Sequence, residues 1–408
     1  MNINKLNSIR VCWILIIPYV LLDFITGFSY LNLGIDLKLT ILTKMLLLTL
    51  VLVSILRLRF NLGVFLFTVS GVLLSIPFLR FAFIQDQSAL FYEISILLKI
   101  ILLLMMFAFS YVYSQISPEP FIKKTRICLY ISFVLVSLNV LFGYLGIGHP
   151  TYQSTGLGFK GFFRAGNELS ALYIVLSTFI MYEFILAEKY FKSLLITIVV
   201  LIVSLSIGTK SSAIYGVAIS VLLPLSLFKG KIFSIRYLPF ISLFFVSVFI
   251  AFYYSIIIYV DVFFQKYEYI LSNQGLVGLI FSGRDLFAEE YVTYIGNDFY
   301  SMYYILGGGA ALLEDVIGFN TIESDPFDIF ALFGLLVLFL LLSFFSYIVF
   351  LPARLIELHY AIPVFFVNFS LLLFSFIAGH VWTSGMLSIA WALLNGLFFT
   401  QLRLRGRT

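Results

Sequence analysis

Apolar runs of about twenty residues recur along the 408-residue chain, separated by clusters of charge or by Gly, Pro and Asn. A helix crossing a bilayer needs roughly 20 such residues. Inside the hydrocarbon every backbone N–H and C=O must find its partner within the protein. The pattern therefore predicts an all-α polytopic membrane protein. Composition agrees, since 62% of residues are hydrophobic and only 11% charged, against about a quarter charged in a soluble domain. A soluble enzyme is excluded. Abundant Phe, Leu, Ile and Val likewise exclude intrinsic disorder.

The runs divide into about 12 transmembrane helices: Val11–Tyr30, Leu39–Leu56, Leu62–Leu79, Ile94–Tyr113, Ile127–Leu145, Asn167–Leu186, Ser193–Ile207, Ala213–Phe228, Leu238–Ile258, Phe327–Phe350, Ala361–Phe376 and Ser384–Leu402. The first, preceded by Lys5 and Arg10, contains Pro18 and Asp23 and lacks a small-residue cleavage pattern, so it reads as a retained helix rather than a signal peptide. The seventh and eighth are short and flank Gly208-Thr209-Lys210-Ser211-Ser212, which reads either as the tip of a helical hairpin or as a pair of broken helices. One transmembrane domain covers residues 1–408. Its single long loop, residues 259–326 between spans nine and ten, is expected to contain short helices and to fold over the membrane face.

Alternate connections carry 16 of the 25 Lys and Arg, the asymmetry of a cytoplasmic face. This places both termini in the cytoplasm. The net charge of +5 is then a topology signal and not a sign of nucleic-acid binding. Cys12 and Cys128 fall near the cytoplasmic side, where thiols stay reduced. His149, His359 and His380 are too scattered for a metal site.

Ionisable residues inside spans are costly and default to functional candidates. Asp23 and Lys99 qualify, although a mutual ion pair or snorkelling explains them equally well. Glu183 lies near a cytoplasmic end and is expected to be solvated. Four outward cations, Lys160, Arg164, Lys210 and Arg284, suggest an anion clamp of the kind a pyrophosphate needs; scattered surface charge is the alternative. Arg284 belongs to Ser282-Gly283-Arg284-Asp285, an S-x-x-D capping pattern before an apolar stripe, which predicts a short interfacial helix. Between Asp261 and Asp328 the chain carries eleven carboxylates against Lys266 and Arg284.

Glu323, Asp325 and Asp328 precede the tenth span, and Pro326 in a first helical turn would turn Asp325 and Asp328 toward one outer vestibule. A carboxylate there can serve as general base to a sugar hydroxyl; helix capping by Asp325 competes. Asn167 and Glu168 open the sixth span, where Glu168 is either a glycan ligand or a helix-end carboxylate. His380 and Trp382 lie between the last two spans, and Trp382 either joins an aromatic belt or stacks on a sugar ring.

The order of Arg164-Ala165-Gly166-Asn167-Glu168, Gly208 to Ala213, Ser282 to Arg284, Gly307-Gly308-Gly309 and the acidic Glu323 to Asp328 resembles bacterial O-antigen polymerases and the related O-antigen ligases. The resemblance covers the middle and C-terminal half of the chain. It implies a GT-C-like glycosyltransferase of the inner membrane that uses an undecaprenyl-pyrophosphate-linked oligosaccharide. The glycan would pass to a sugar hydroxyl of another repeat unit. Lys210, which stands where the family commonly has Arg, and Arg284 would bind the pyrophosphate with help from Arg164. Where ligases carry a His before the following span this chain has Glu323, Asp325 and Asp328, which favours the polymerase. The implied partners are membrane lipid and a chain-length regulator, with no nucleic acid, and no cofactor is expected. A ligase, or a flippase of lipid-linked oligosaccharide, is the alternative.

Overall fold

The structure is a computed structural model and describes residues 3–153, 156–228, 275, 277–278, 281–297 and 301–405. The expected span Leu238–Ile258, the cations Lys229, Lys231 and Arg236, and the start of the outer loop with Asp261 and Lys266 lie outside the described residues. The first six helices are α1 (Ile3–Ile16), α2 (Tyr19–Leu33), α3 (Leu39–Leu58), α4 (Phe60–Ile84), α5 (Gln87–Ile116) and α6 (Pro118–Leu141). A hairpin of β1 (His149–Tyr152) and β2 (Leu157–Gly161) leads to α7 (Gly166–Leu186), α8 (Tyr190–Ile207) and α9 (Lys210–Phe228). Three short helices follow, α10 (Arg284–Asn297), α11 (Ser301–Leu306) and α12 (Gly309–Ile317), then α13 (Asp325–Arg354), α14 (Ala361–Ile377) and α15 (Gly385–Arg405).

Eight of the described helices are long and apolar enough to cross a membrane, nine if the bent pair α1–α2 is one span, and α8 and α14 contain shorter apolar helices. The chain is thus an all-α polytopic membrane protein. The 43° bend between α1 and α2 falls at Pro18, which cannot continue the hydrogen-bond ladder. Helix α15 is almost wholly buried and packs along α5. The Phe107 ring meets Trp391 at 5.5 Å, and Gln115 donates to the Phe399 carbonyl at 2.6 Å, so the two helices run parallel. Asn368 and Asn395 exchange carboxamide hydrogen bonds at 2.9 and 3.0 Å, and Trp391 donates to Asn368 at 2.6 Å. Such interhelical polar contacts are how small bundles in lipid fix their packing.

Two expectations need correction, those for Asp23 and Glu183. Asp23 pairs with Lys44 at 3.0 Å and not with Lys99, because neighbouring α2 and α3 bring those two charges together. Glu183 is not solvated: it takes hydrogen bonds from Arg126 at 3.2 Å and from the Tyr360 hydroxyl. The glycine-rich connection before α7 is a β-hairpin, pinned by Asn139, whose carboxamide donates to the Lys160 carbonyl and accepts from the Phe162 N–H. Gly208 ends α8 in the left-handed region and Lys210 opens α9, so the short connection is a hairpin tip.

One interruption organises the end of the bundle that carries Arg80 and Glu93. Gly334 takes φ 79° and ψ 179° inside α13, splitting a nine-residue buried segment from the long span that follows. A side chain there would run into the Ile305 carbonyl. A broken helix strands the carbonyls of its last turn. Here Ala331 accepts from the Gly308 N–H at 2.9 Å and from Tyr291 at 3.2 Å, and Leu332 accepts from Arg80 at 2.8 Å. Arg80 also donates to Leu306 at 2.9 Å and is paired with Glu93 at 2.5 Å, while Glu93 accepts from the Ala310 N–H at 2.8 Å. The Glu93 side chain is 3% exposed. Removing one partner of a buried pair costs about 3–5 kcal/mol because the other charge is left uncompensated. Arg80→Met and Glu93→Gln should each destabilise the detergent-solubilised protein by that order, and the double variant by clearly less than their sum. Additive losses in a chemical-unfolding experiment would contradict the coupling.

Candidate functional site

The acidic run that leads into α13 anchors the site, and its two aspartates, in the first turn of the helix, are buried. Pro326 stands in the first turn as the sequence predicts. One oxygen of Asp325 accepts the Val381 and Trp382 N–H groups at 2.7 and 3.1 Å, and Asp325 is 1% exposed. Asp328 accepts from the Ile322 N–H at 2.6 Å and from the Thr321 hydroxyl at 3.0 Å. The two carboxylates are therefore buried rather than turned toward an open vestibule, and they clamp the turns at 321–324 and 380–384. Trp382 is corrected too. It is fully buried and stacks on Phe345 at 4.6 Å, leaving no face for a sugar or for lipid headgroups.

The clamped turns hold Glu323 and His380, each with a left-handed backbone at φ 62° and 59°. Gly379 packs its Cα against the Glu323 backbone so tightly that only glycine fits. Arg284, first residue of α10, donates to the Ile377 carbonyl at 2.7 Å and to the Glu323 carboxylate at 2.5 Å. Lys210 reaches into the same turn and donates to Ser282 at 2.9 Å. The Ser282 hydroxyl thus meets Lys210, while Asp285 keeps one buried carboxylate oxygen without a partner among the described residues. The α10 helix forms without the expected capping box.

Helix α7 supplies the opposite wall. Asn167 donates to the Ala378 carbonyl at 3.2 Å, and Ser384 donates to Glu168 at 3.3 Å. Ser170 meets Thr209 at 2.6 Å, tying the Lys210 hairpin to the same helix. The His380 imidazole is half-buried, and the charges acting on it come from Glu168, Glu323, Lys99 and Arg284. Burial outweighs them and pushes its pKa down. Tyr152 at the end of β1 feels Arg284 and Glu323, and burial raises its phenol pKa. Sequence reasoning left Tyr152 out, since its place depends on Thr151 bonding the Ile207 carbonyl at 2.7 Å across the chain.

Two of the four cations have partners of their own. Arg164 pairs with Asp36 at 2.6 Å and lies 4.4 Å from the Tyr30 ring, and this hydrogen bond holds Asp36 below the ordinary carboxylate range. Lys160 is buried, donates to the Arg164 carbonyl at 3.2 Å, and has its pKa lowered by burial. Both hold the hairpin, leaving Lys210 and Arg284 as the cations at the Ser282 turn. The resulting cleft gathers Arg284, Lys210, Glu323, His380, Glu168 and Lys99: cations able to hold an anionic group, beside oxygen and nitrogen atoms able to accept a proton. No protein-family model, curated protein or solved structure matches this chain.

Asp325→Ala leaves two buried N–H groups unpaired at about 1–3 kcal/mol each, so it should unfold well below the wild type. Asp325→Asn keeps an oxygen for both and should cost far less; equal losses would contradict the clamp. His380 has a folded pKa below its unfolded value of about 6.5, so its neutral form is favoured on folding. The stability this confers is full above that value and is lost as pH falls through the folded pKa. The unfolding free-energy difference between wild type and His380→Asn should therefore shift against the wild type from about pH 7 to about pH 5. A difference independent of pH would contradict the burial of that ring.

Proposed function

We propose that the protein is a GT-C-like membrane glycosyltransferase that polymerises lipid-linked oligosaccharide repeat units, as O-antigen or capsular polysaccharide, on the outer face of a bacterial cytoplasmic membrane. The observation that carries this reading is the meeting of Arg284 and Lys210 at one turn beside Glu323, Glu168 and His380. The alternating cations of the sequence put that turn outside and both termini in the cytoplasm. With the short helices and the undescribed stretch counted, the reading has twelve spans.

In the reaction the hydroxyl oxygen of one repeat unit attacks the anomeric carbon of another. The bond from that carbon to the phosphate oxygen breaks, and its electron pair leaves with undecaprenyl pyrophosphate. Arg284 and Lys210 stabilise the charge developing on the leaving group. The hydroxyl proton passes to Glu168 or to the neutral His380, within whose reach a sugar entering between α7 and the 379–384 turn would lie. Glu323 orients Arg284. Asp325 and Asp328 take no proton from substrate in this scheme, because both are buried and held in the turns by the Val381, Trp382 and Ile322 N–H groups.

A flippase draws support from the break in α13, since transporters use interrupted helices to bind cargo. Here, however, the freed Ala331 and Leu332 carbonyls are taken by Tyr291, Gly308 and Arg80 and do not line an open path. That favours the enzyme. The test uses purified protein in liposomes with undecaprenyl-pyrophosphate repeat units and neither nucleotide nor added metal. A ladder of lengthening glycans is expected. Arg284→Ala and Glu168→Gln should lower the rate by about 10²-fold or more, with Asp325→Asn near wild type. Movement of donor across the bilayer without lengthening would overturn the polymerase in favour of a flippase.

A further inference from the structure

Lys99 is not used by the chemistry above. It lies well inside α5 and is partly buried, and among the described residues no hydrogen bond or ion pair reaches it. The other intramembrane lysine of this region, Lys44, is already neutralised by Asp23. A lysine kept in a membrane span without a counter-ion is costly and calls for an anionic partner.

Its depth identifies the partner's chemistry. Helices α5 and α15 run parallel, with Phe107 beside Trp391 and Gln115 beside Phe399, so the same register puts Lys99 level with the start of α15 and with Ser384. From Ile116, the last residue of α5 and its inner-face end in the orientation proposed above, Lys99 is about 25 Å along the helix axis at ~1.5 Å per residue. A hydrocarbon core of about 30 Å then puts its flexible side chain just below the outer boundary, where a lipid phosphate sits. His380 feels Lys99 directly, so the ammonium borders the candidate site from a helix that supplies neither Arg284 nor Lys210.

We propose that Lys99 holds the pyrophosphate of a second, acceptor-side polyprenyl-linked substrate, separate from the donor pyrophosphate at Arg284 and Lys210. This rests on the polymerase reading, in which two lipid-linked molecules must be at the site together and each brings a doubly phosphorylated head at the same depth. One pair of cations cannot serve both. Glu168, hydrogen-bonded to Ser384, would lie between the two heads and keep them apart by repulsion. The phosphate of a bulk phospholipid shares the chemistry Lys99 requires, and the experiment separates the two sources.

Full-length protein in nanodiscs of zwitterionic lipid is titrated with undecaprenyl pyrophosphate carrying no glycan, and bound lipid is counted by native mass spectrometry. The wild type should take two equivalents, Lys99→Gln and Arg284→Gln one each, and Lys99→Arg two. Thermal unfolding of Lys99→Gln close to that of the wild type shows that the loss is not one of folding. Two equivalents retained by Lys99→Gln would overturn the proposal. So would phosphatidylglycerol displacing the Lys99-dependent equivalent at equal concentration, since the site would then belong to bulk lipid. One equivalent in the wild type, lost in Arg284→Gln, would remove the Lys99 site and leave the polymerase reading standing. No uptake by the wild type would remove both.

Discussion

The half of this protein that carries the candidate site depends on how a helix is broken inside a bundle without leaving its backbone exposed. In α13 the break at Gly334 frees carbonyls within a buried segment, where each needs a partner from the protein. The Arg80 guanidinium answers this with donors spread over the Leu306 and Leu332 carbonyls and the Glu93 carboxylate. Glu93 in turn fixes the start of α12 through Ala310. A buried ion pair is weak evidence for net stability, since desolvation offsets much of its attraction. Its effect here is geometric: α4, α5, α11, α12 and α13 acquire one mutual arrangement.

The site hangs from that arrangement. With the first segment of α13 held, Asp325 and Asp328 stand where they can gather the N–H groups of two turns. Those turns present Glu323 and His380 toward Arg284 and toward α7. Most of the acid at this end is therefore consumed in construction, and the remaining carboxylates, Glu323 and Glu168, are each within reach of a donor. Electrostatics follow the same division. Arg164 and Lys160 are committed to the β-hairpin, so the positive charge at the Ser282 turn comes from α9 and α10.

Much of this was legible in the sequence, and what was not has a common cause. Apolar runs located α3, α7 and α15 to within a few residues, because burial in lipid imposes itself on every position of a span. Pro326 marked a helix start, and Ser282-Gly283-Arg284 marked another, because such signals are local. Arg80 and Glu93 were hidden for the opposite reason. Each ends an apolar run, so the hydropathy reading stops there, yet α4 and α5 continue as helices past both to Ile84 and from Gln87. Their partnership across the turn, and with Gly307 to Ala310 more than two hundred residues away, has no local signature. The same holds for Asp325: spacing suggested that it shared a face with Asp328, but its partners lie at 381 and 382. Trp382 looked like an interfacial residue until Phe345 covered its ring.

Amide hydrogen exchange across residues 303–334, compared between the wild type and Arg80→Met, tests most directly whether the guanidinium at the helix break supports the turns of the candidate site. The account predicts faster exchange at Gly308, at Ala310 and in the 331–334 segment, spreading to the Ile322 and Val381 amides, with α7 below its first turn unchanged. Equal protection of these amides in the two proteins would contradict it.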